Sequence, residues 1–181
     1  MMRLKTYILL AAATLSLSCT KESRDLIYAG QEAKIESFVE KQTTSDPNVR
    51  VVHNGGATRV VMVEGQGPEL TPRGKASVNF AGYNFTSGSV GSSSLFATNS
   101  RDVASASGWK LSDESVFGEL ELDLTDKGIL QGLRDGLEGV REGEECYILF
   151  NGKYGFGKSK IGTIPANAPL AFRIWVLSVE N

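Results

Sequence analysis

One histidine, two cysteines and five prolines are spread over 181 residues. His53 alone cannot build a metal centre, and no cluster of ligating side chains accompanies it, so neither a metal nor another cofactor is expected. Two cysteines do not make a disulfide framework. Cys146 sits within an apolar run and reads as a small buried hydrophobe rather than a reactive thiol. No block of Lys and Arg is present, and a net charge of -2 argues against nucleic acid as a partner. Ser–His and Cys–His sets and phosphate-binding glycine loops are missing too. What remains is 41% hydrophobic and 22% charged, a globular composition. One domain fits, and a domain of this size buries about 65–70% of its unfolded surface.

The amino end has the features of a secretory signal. Arg3 and Lys5 form a charged start, Tyr7 to Leu17 an apolar run too short for a confident span, and Ser18 a small residue at the cut. Ser16-Leu17-Ser18-Cys19 resembles a bacterial lipobox, although Ser16 stands where that pattern prefers Leu. The resemblance implies a lipidated Cys19 as the first mature residue, hence a membrane anchor on the bacterial cell envelope, periplasmic or at the outer membrane. The plainer reading is an ordinary signal peptide with a stray cysteine. Asp25 to Gln42 then carries Leu26, Ile27, Ala33, Ile35, Phe38 and Val39 among charged residues. It is expected to be a helix that packs on the domain or lifts it off a membrane, ending at the Thr43–Pro47 cluster.

Two β-branched runs, Val49–His53 and Thr58–Glu64, flank Asn54-Gly55-Gly56, a hairpin signal. Lys75–Phe85 reads as a central strand. Thr86–Val116 is rich in Ser and Gly and is read as a mobile insertion that Trp109, Val116 and Phe117 pin back in places. Glu119–Leu124 alternates strictly, with Leu120, Leu122 and Leu124 facing in. Leu133, Leu137 and Val140 recur as one stripe of a short helix, with Gly143 as the left-handed residue after it. Cys146–Phe150 and Leu170–Val179 are strands, the latter with Leu170, Phe172, Ile174, Val176 and Ser178 on one face. Trp175 falls on the other face, either against the amino-terminal helix or at a partner site. The pattern is α+β, an antiparallel sheet wrapped over one short helix.

The order Ile129-Leu130-Gln131-Gly132, Gly136-Leu137, Gly143, Tyr154-Gly155-Phe156-Gly157, Ile164-Pro165-Ala166-Asn167-Ala168-Pro169-Leu170-Ala171-Phe172 and Val176-Leu177 resembles the FKBP-type peptidyl-prolyl cis–trans isomerases. The likeness spans about 65–181, so the partition expected is 1–18 signal, 19–47 lipidated tether and helix, and 48–181 FKBP-like domain with the 86–116 insertion. It implies a proline pocket with Leu133 as floor, Phe80 and Phe172 as walls, and Phe156 on the far lip. Phe96, Leu120, Ile129, Leu130 and Ile164 would complete the substrate contacts. The implied partners are proline-containing segments of exported proteins.

Four positions depart from the family pattern. Phe80 and Phe156 stand where Tyr is usual, Ala97 where Asp follows an aromatic, and Leu133 where Trp forms the floor. Phe156 has no hydroxyl to offer a substrate carbonyl, and every change makes the pocket more apolar. The resemblance therefore implies a weak isomerase, or a domain that keeps the fold without turnover and works as a binding module or chaperone. A plainer alternative is a structural lipoprotein whose groove is filled by its own insertion through Phe96 or Trp109.

Overall fold

The computed structural model describes residues 2–109 and 117–181, and side chains from Lys21 onward. The side chains of the expected signal peptide, the Cys19 side chain and Val116 thus lie outside the described residues. Helix α1 runs Met2–Ser45, longer at both ends than the expected 25–42 span. It stops where Asp46 and Pro47 follow, with the Asp46 carboxylate accepting the Asn48 amide at 2.9 Å. Among the described residues no helix is long and apolar enough to cross a membrane.

Among the described residues seven strands form one antiparallel sheet: β1 Arg50–Asn54, β2 Ala57–Val63, β3 Lys75–Asn84, β4 Leu95–Thr98, β5 Leu120–Asp123, β6 Glu145–Phe150 and β7 Leu170–Glu180. Their order is β1-β2-β6-β7-β3-β4, with β5 also paired to β3. The β1–β2 hairpin forms as expected, but Asn54 pairs with Ala57, so Gly55 and Gly56 make the turn. The described part of the insertion, 86–109, is folded into short elements rather than left as the mobile segment expected. Turns at Phe85–Ser87 and Ser92–Ser94 lead into β4, and a short helix α2, Arg101–Ala106, follows with the Ser100 side chain capping it.

The period-two alternation of the strands divides the apolar residues between two faces. One face carries Val61, Ala76, Val78, Cys146, Ile148, Phe150, Leu170, Phe172, Ile174 and Val176, gathered around helix α3, Gln131–Leu137. Gly132 and Gly136, four apart on α3, lie against Phe150 and Ile148 of β6. No side chain fits there, so the helix rests directly on the sheet. The helix ends earlier than the apolar stripe suggests: Val140 is buried but lies beyond it. The left-handed residue just past its end is Gly139 (φ 82°), while Gly143 (φ 79°) serves the turn into β6.

The other face carries Val60, Ala81, Tyr83, Leu149 and Ala171, covered by Ile35 and Phe38 of α1. The Phe38 ring meets Phe85 edge-on at 5.6 Å and Tyr147 at 5.3 Å. Burying each such side chain contributes about 1.5–3 kcal/mol. Trp175 belongs to this second core, with the Arg173 guanidinium 4.6 Å above its ring. Of the two expectations for α1, packing on the domain is the one observed.

Beneath the end of α3 lies a buried ion pair that local pattern does not reveal. Arg59 reaches from β2 and donates to the carbonyls of Gly136 (2.9 Å) and Glu138 (2.8 Å), capping the helix. Its Nε stands 3.3 Å from the Glu144 carboxylate, and both side chains are shut off from solvent. Burial pushes the Glu144 carboxyl above its ordinary range, with Arg59 opposing the shift. Burial pushes the neighbouring Cys146 thiol well up, which keeps it protonated and inert.

Candidate functional site

Phe172, on the helix side of β7, is the hub of an aromatic cluster. Phe150 stacks on it with centroids 5.9 Å apart, Phe96 meets it edge-on at 5.8 Å, and Phe80 stands tilted at 6.4 Å. Such pairs contribute about 0.5–1.5 kcal/mol each beyond their buried area. Gly82 is paired with Phe172 across β3 and β7. A Cβ at position 82 would lie 2.7 Å from Phe96 and 3.1 Å from Phe172. The bare backbone is what allows Phe96 to fold over the sheet.

Leu130 and Leu133 from the start of α3, and Phe156 from the following loop, pack half-buried against the same core, and Ile164 is buried within it. Seven of the nine expected site residues therefore share one cluster: Phe80, Phe96, Leu130, Leu133, Phe156, Ile164 and Phe172. Ile129 is half-buried just before α3, apart from that cluster. Leu120 is not buried as its alternation suggests; it is 39% exposed. It pairs with Val78 at the end of the β3–β5 ladder, next to the exposed bend at Gly118 and Glu119.

A groove of about 580 Å³ opens beside Phe80 and Phe96, walled also by Trp109, Gly118, Glu119 and Leu120. It runs toward the insertion rather than over Leu133. Trp109, 37% exposed, forms a wall of this open groove and does not plug it. Phe117 is half-buried, with the Arg101 guanidinium 5.3 Å over its ring.

Asn99 holds the groove's shape, a role sequence reasoning missed. Its Oδ1 accepts the Phe80 amide at 2.6 Å, and its Nδ2 donates to the carbonyls of Val78 (3.0 Å) and Gly118 (2.7 Å). Thr98 donates its hydroxyl to the Phe80 carbonyl at 2.5 Å. These bonds occupy the Phe80 amide and carbonyl and the Val78 carbonyl, so the groove is mainly rings and aliphatic carbon. An asparagine closing an apolar stretch was the available signal; its partners lie some twenty residues away.

Two turns of the connection between β6 and β7 close the cluster's other side. The Gly132 amide donates to the Tyr154 carbonyl at 3.0 Å, tying the Phe156 loop to α3. Ile161 and Ile164 exchange hydrogen bonds at 3.1 and 2.8 Å, and Asn167 takes a left-handed backbone, φ 56°. Among the described residues no group of His, Cys, Asp and Glu could hold a metal. The arrangement can strip water from an apolar ring and hold it; it offers no nucleophile.

A sheet wrapped over one short helix, with an aromatic hub on the face that the helix covers, defines the FKBP class of fold. Residues 105–177 match the family model of FKBP-type peptidyl-prolyl cis-trans isomerase. Leu120 through Phe172 lie inside the matched stretch; Phe80 and Phe96 lie before it. Solved structures with the same fold include FkpA from Escherichia coli, 21% identical over 97% of this chain and 70% of that one, TM-score 0.55. A peptidyl-prolyl cis-trans isomerase from Pseudomonas syringae pv. tomato is 17% identical over 84% of this chain and 95% of that one, TM-score 0.55. The N-terminal domain of FKBP42 from Arabidopsis thaliana is 14% identical over 73% and 93%, TM-score 0.54. No curated protein matches the sequence.

Proposed function

We propose that this protein is a weak peptidyl-prolyl cis–trans isomerase, anchored to a bacterial envelope membrane through a lipidated Cys19 and acting on exported chains. The observation that carries the catalytic reading is the Phe172 hub with Phe80 and Phe96 around it and Leu133, Phe156 and Ile164 in the same cluster. Rotation about a prolyl amide faces a barrier of about 18–20 kcal/mol, set by carbon–nitrogen double-bond character. Lowering it requires no proton relay. A pocket that dehydrates the prolyl carbonyl and holds the twisted amide better than the planar one suffices.

In this reading Phe172, Phe80 and Leu133 hold the proline ring, while Phe96, Leu120, Ile129, Leu130 and Ile164 contact the flanking chain. Phe156 covers the lip without a hydroxyl. A net hydrogen bond contributes about 0.5–1.5 kcal/mol, so its absence is consistent with turnover up to about tenfold lower. Support for the anchor is the Ser-Leu-Ser-Cys sequence, and acyl chains contribute about 0.8 kcal/mol per buried methylene.

A second reading, a binding module or chaperone without turnover, is favoured by the open apolar groove that Trp109 and Leu120 extend beside the pocket. The deciding measurement is protease-coupled isomerisation of a Leu-Pro or Phe-Pro peptide at high enzyme concentration. Turnover above the uncatalysed rate supports the isomerase. Its absence, with aggregation of an unfolded client still suppressed, selects the binding module.

A further inference from the structure

Gln31 lies on α1 against the connection between β6 and β7, and it is buried. An amide side chain carries one acceptor and one donor group, and both are used on backbone atoms. Its Oε1 accepts the Gly152 amide at 2.9 Å, and its Nε2 donates to the Asn167 carbonyl at 2.7 Å. These two backbone positions lie at opposite ends of the single connection between β6 and β7, and they touch. A Cβ at position 152 would run into the Asn167 backbone. Tyr28, one turn earlier on α1, donates its hydroxyl to Asn167 Oδ1 at 2.9 Å. Asn167 is the one non-glycine residue with positive φ among those described, a backbone state that costs energy unless its surroundings hold it.

The bonds continue inward. The Gly157 amide donates to the Gly152 carbonyl at 3.1 Å, and the Asn167 amide donates to the Gly157 carbonyl at 2.5 Å. Phe156 sits inside the 152–157 turn, and Ile164 stands three residues before Asn167. The backbones that carry both side chains are thus joined at one point, and that point is gripped from α1.

We propose that Gln31, supported by Tyr28, is a positioning residue of the prolyl site: it clasps the two ends of the β6–β7 connection together and so sets where Phe156 and Ile164 stand. The proposal rests on the isomerase reading only for its catalytic consequence; the clasp itself is independent of turnover. Gln31→Ala removes both bonds. Gln31→Glu keeps an acceptor for the Gly152 amide but presents no donor to the Asn167 carbonyl. Ile35→Val trims α1 in the second core without touching either end of that connection, and serves as the comparison for helix docking alone.

The test is amide hydrogen exchange at Gly152 and the methyl resonances of Ile164 in the full-length protein, with peptide kinetics alongside. In Gln31→Ala, Gly152 exchange should accelerate and the Ile164 methyls should shift; in Gln31→Glu the exchange should stay near wild type while the methyls still shift. KM for a prolyl peptide should rise about threefold to tenfold in Gln31→Ala, the scale of one lost hydrogen bond, with kcat nearly unchanged. Ile35→Val should do none of this at equal loss of melting temperature. Unmoved Ile164 methyls in Gln31→Ala, or equal shifts in Ile35→Val, overturn the clasp. Wild-type protein without turnover, but with Ile164 moving as described, sinks the isomerase reading and leaves the clasp standing.

Discussion

The ring of Phe96 occupies the space that a side chain at position 82 would take, its Cζ only 2.7 Å from where a Cβ of Gly82 would be. One strand supplies a gap and the next strand fills it. A methyl at position 82 therefore pushes Phe96 off the edge of Phe172. Gly82→Ala should destabilise the domain by about 1–3 kcal/mol, the usual cost of overpacking, and lower affinity for prolyl peptides. Denaturant unfolding and peptide titration read the two effects. Combining it with Phe96→Leu should restore part of the stability; an additive double variant argues against the contact.

Phe156→Tyr should raise kcat/KM on a Leu-Pro peptide by up to about tenfold, since a new hydroxyl can donate one hydrogen bond that tightens in the transition state. Leu130→Asp places a carboxylate in the half-buried rim of the cluster, and should abolish turnover while the far-ultraviolet circular dichroism stays native. A Phe156→Tyr variant no faster than wild type would place the rate limit elsewhere in the pocket.

The Arg59–Glu144 pair gives stability a specific pH dependence. The Glu144 carboxyl is raised by burial above its ordinary 4.5, so the folded state keeps a proton that the unfolded chain releases. Its contribution is complete below about 4.5 and is lost as pH rises through the folded value. Subtracting the stability profile of Glu144→Gln from that of wild type should show this decline, and a difference flat from pH 4 to 8 would refute it. Arg59→Ala leaves a buried carboxylate unpaired and the Gly136 and Glu138 carbonyls without their donor. It should cost about 3–5 kcal/mol, measured by urea unfolding.

Cys19→Ala should move the protein from the membrane fraction to the soluble fraction of a bacterial host, and remove the acyl mass from its mature amino terminus. An unmodified Cys19 in the wild-type protein would refute the anchor while leaving the pocket untouched.

The strands and hairpin were legible because their signals are local: alternation of apolar residues, and turn residues between the runs. Phe80, Phe96 and Phe172 could be placed together only through the family resemblance, because they sit on three different strands. Leu120 misled, since alternation reports which way a residue points but not whether anything covers it. Gly143 misled similarly, because Gly139 already ends α3 and Val140 is buried without being helical. Gln31 gave no signal at all. Its partners are 121 and 136 positions away, and a glutamine on a charged helix looks like any solvated residue. Ile35 and Phe38 form too short a stripe among Glu and Lys to declare what they cover.

Since α1 seals the back of the sheet, the family core alone is a poor choice for recombinant expression. A truncation starting near Gly65 loses β1, β2 and the helix together, leaving Leu149, Ala171 and Tyr83 wet and the flank of β6 open to pairing with other molecules. Such a fragment should aggregate at concentrations the longer polypeptide tolerates. The shortest piece worth making begins ahead of Tyr28.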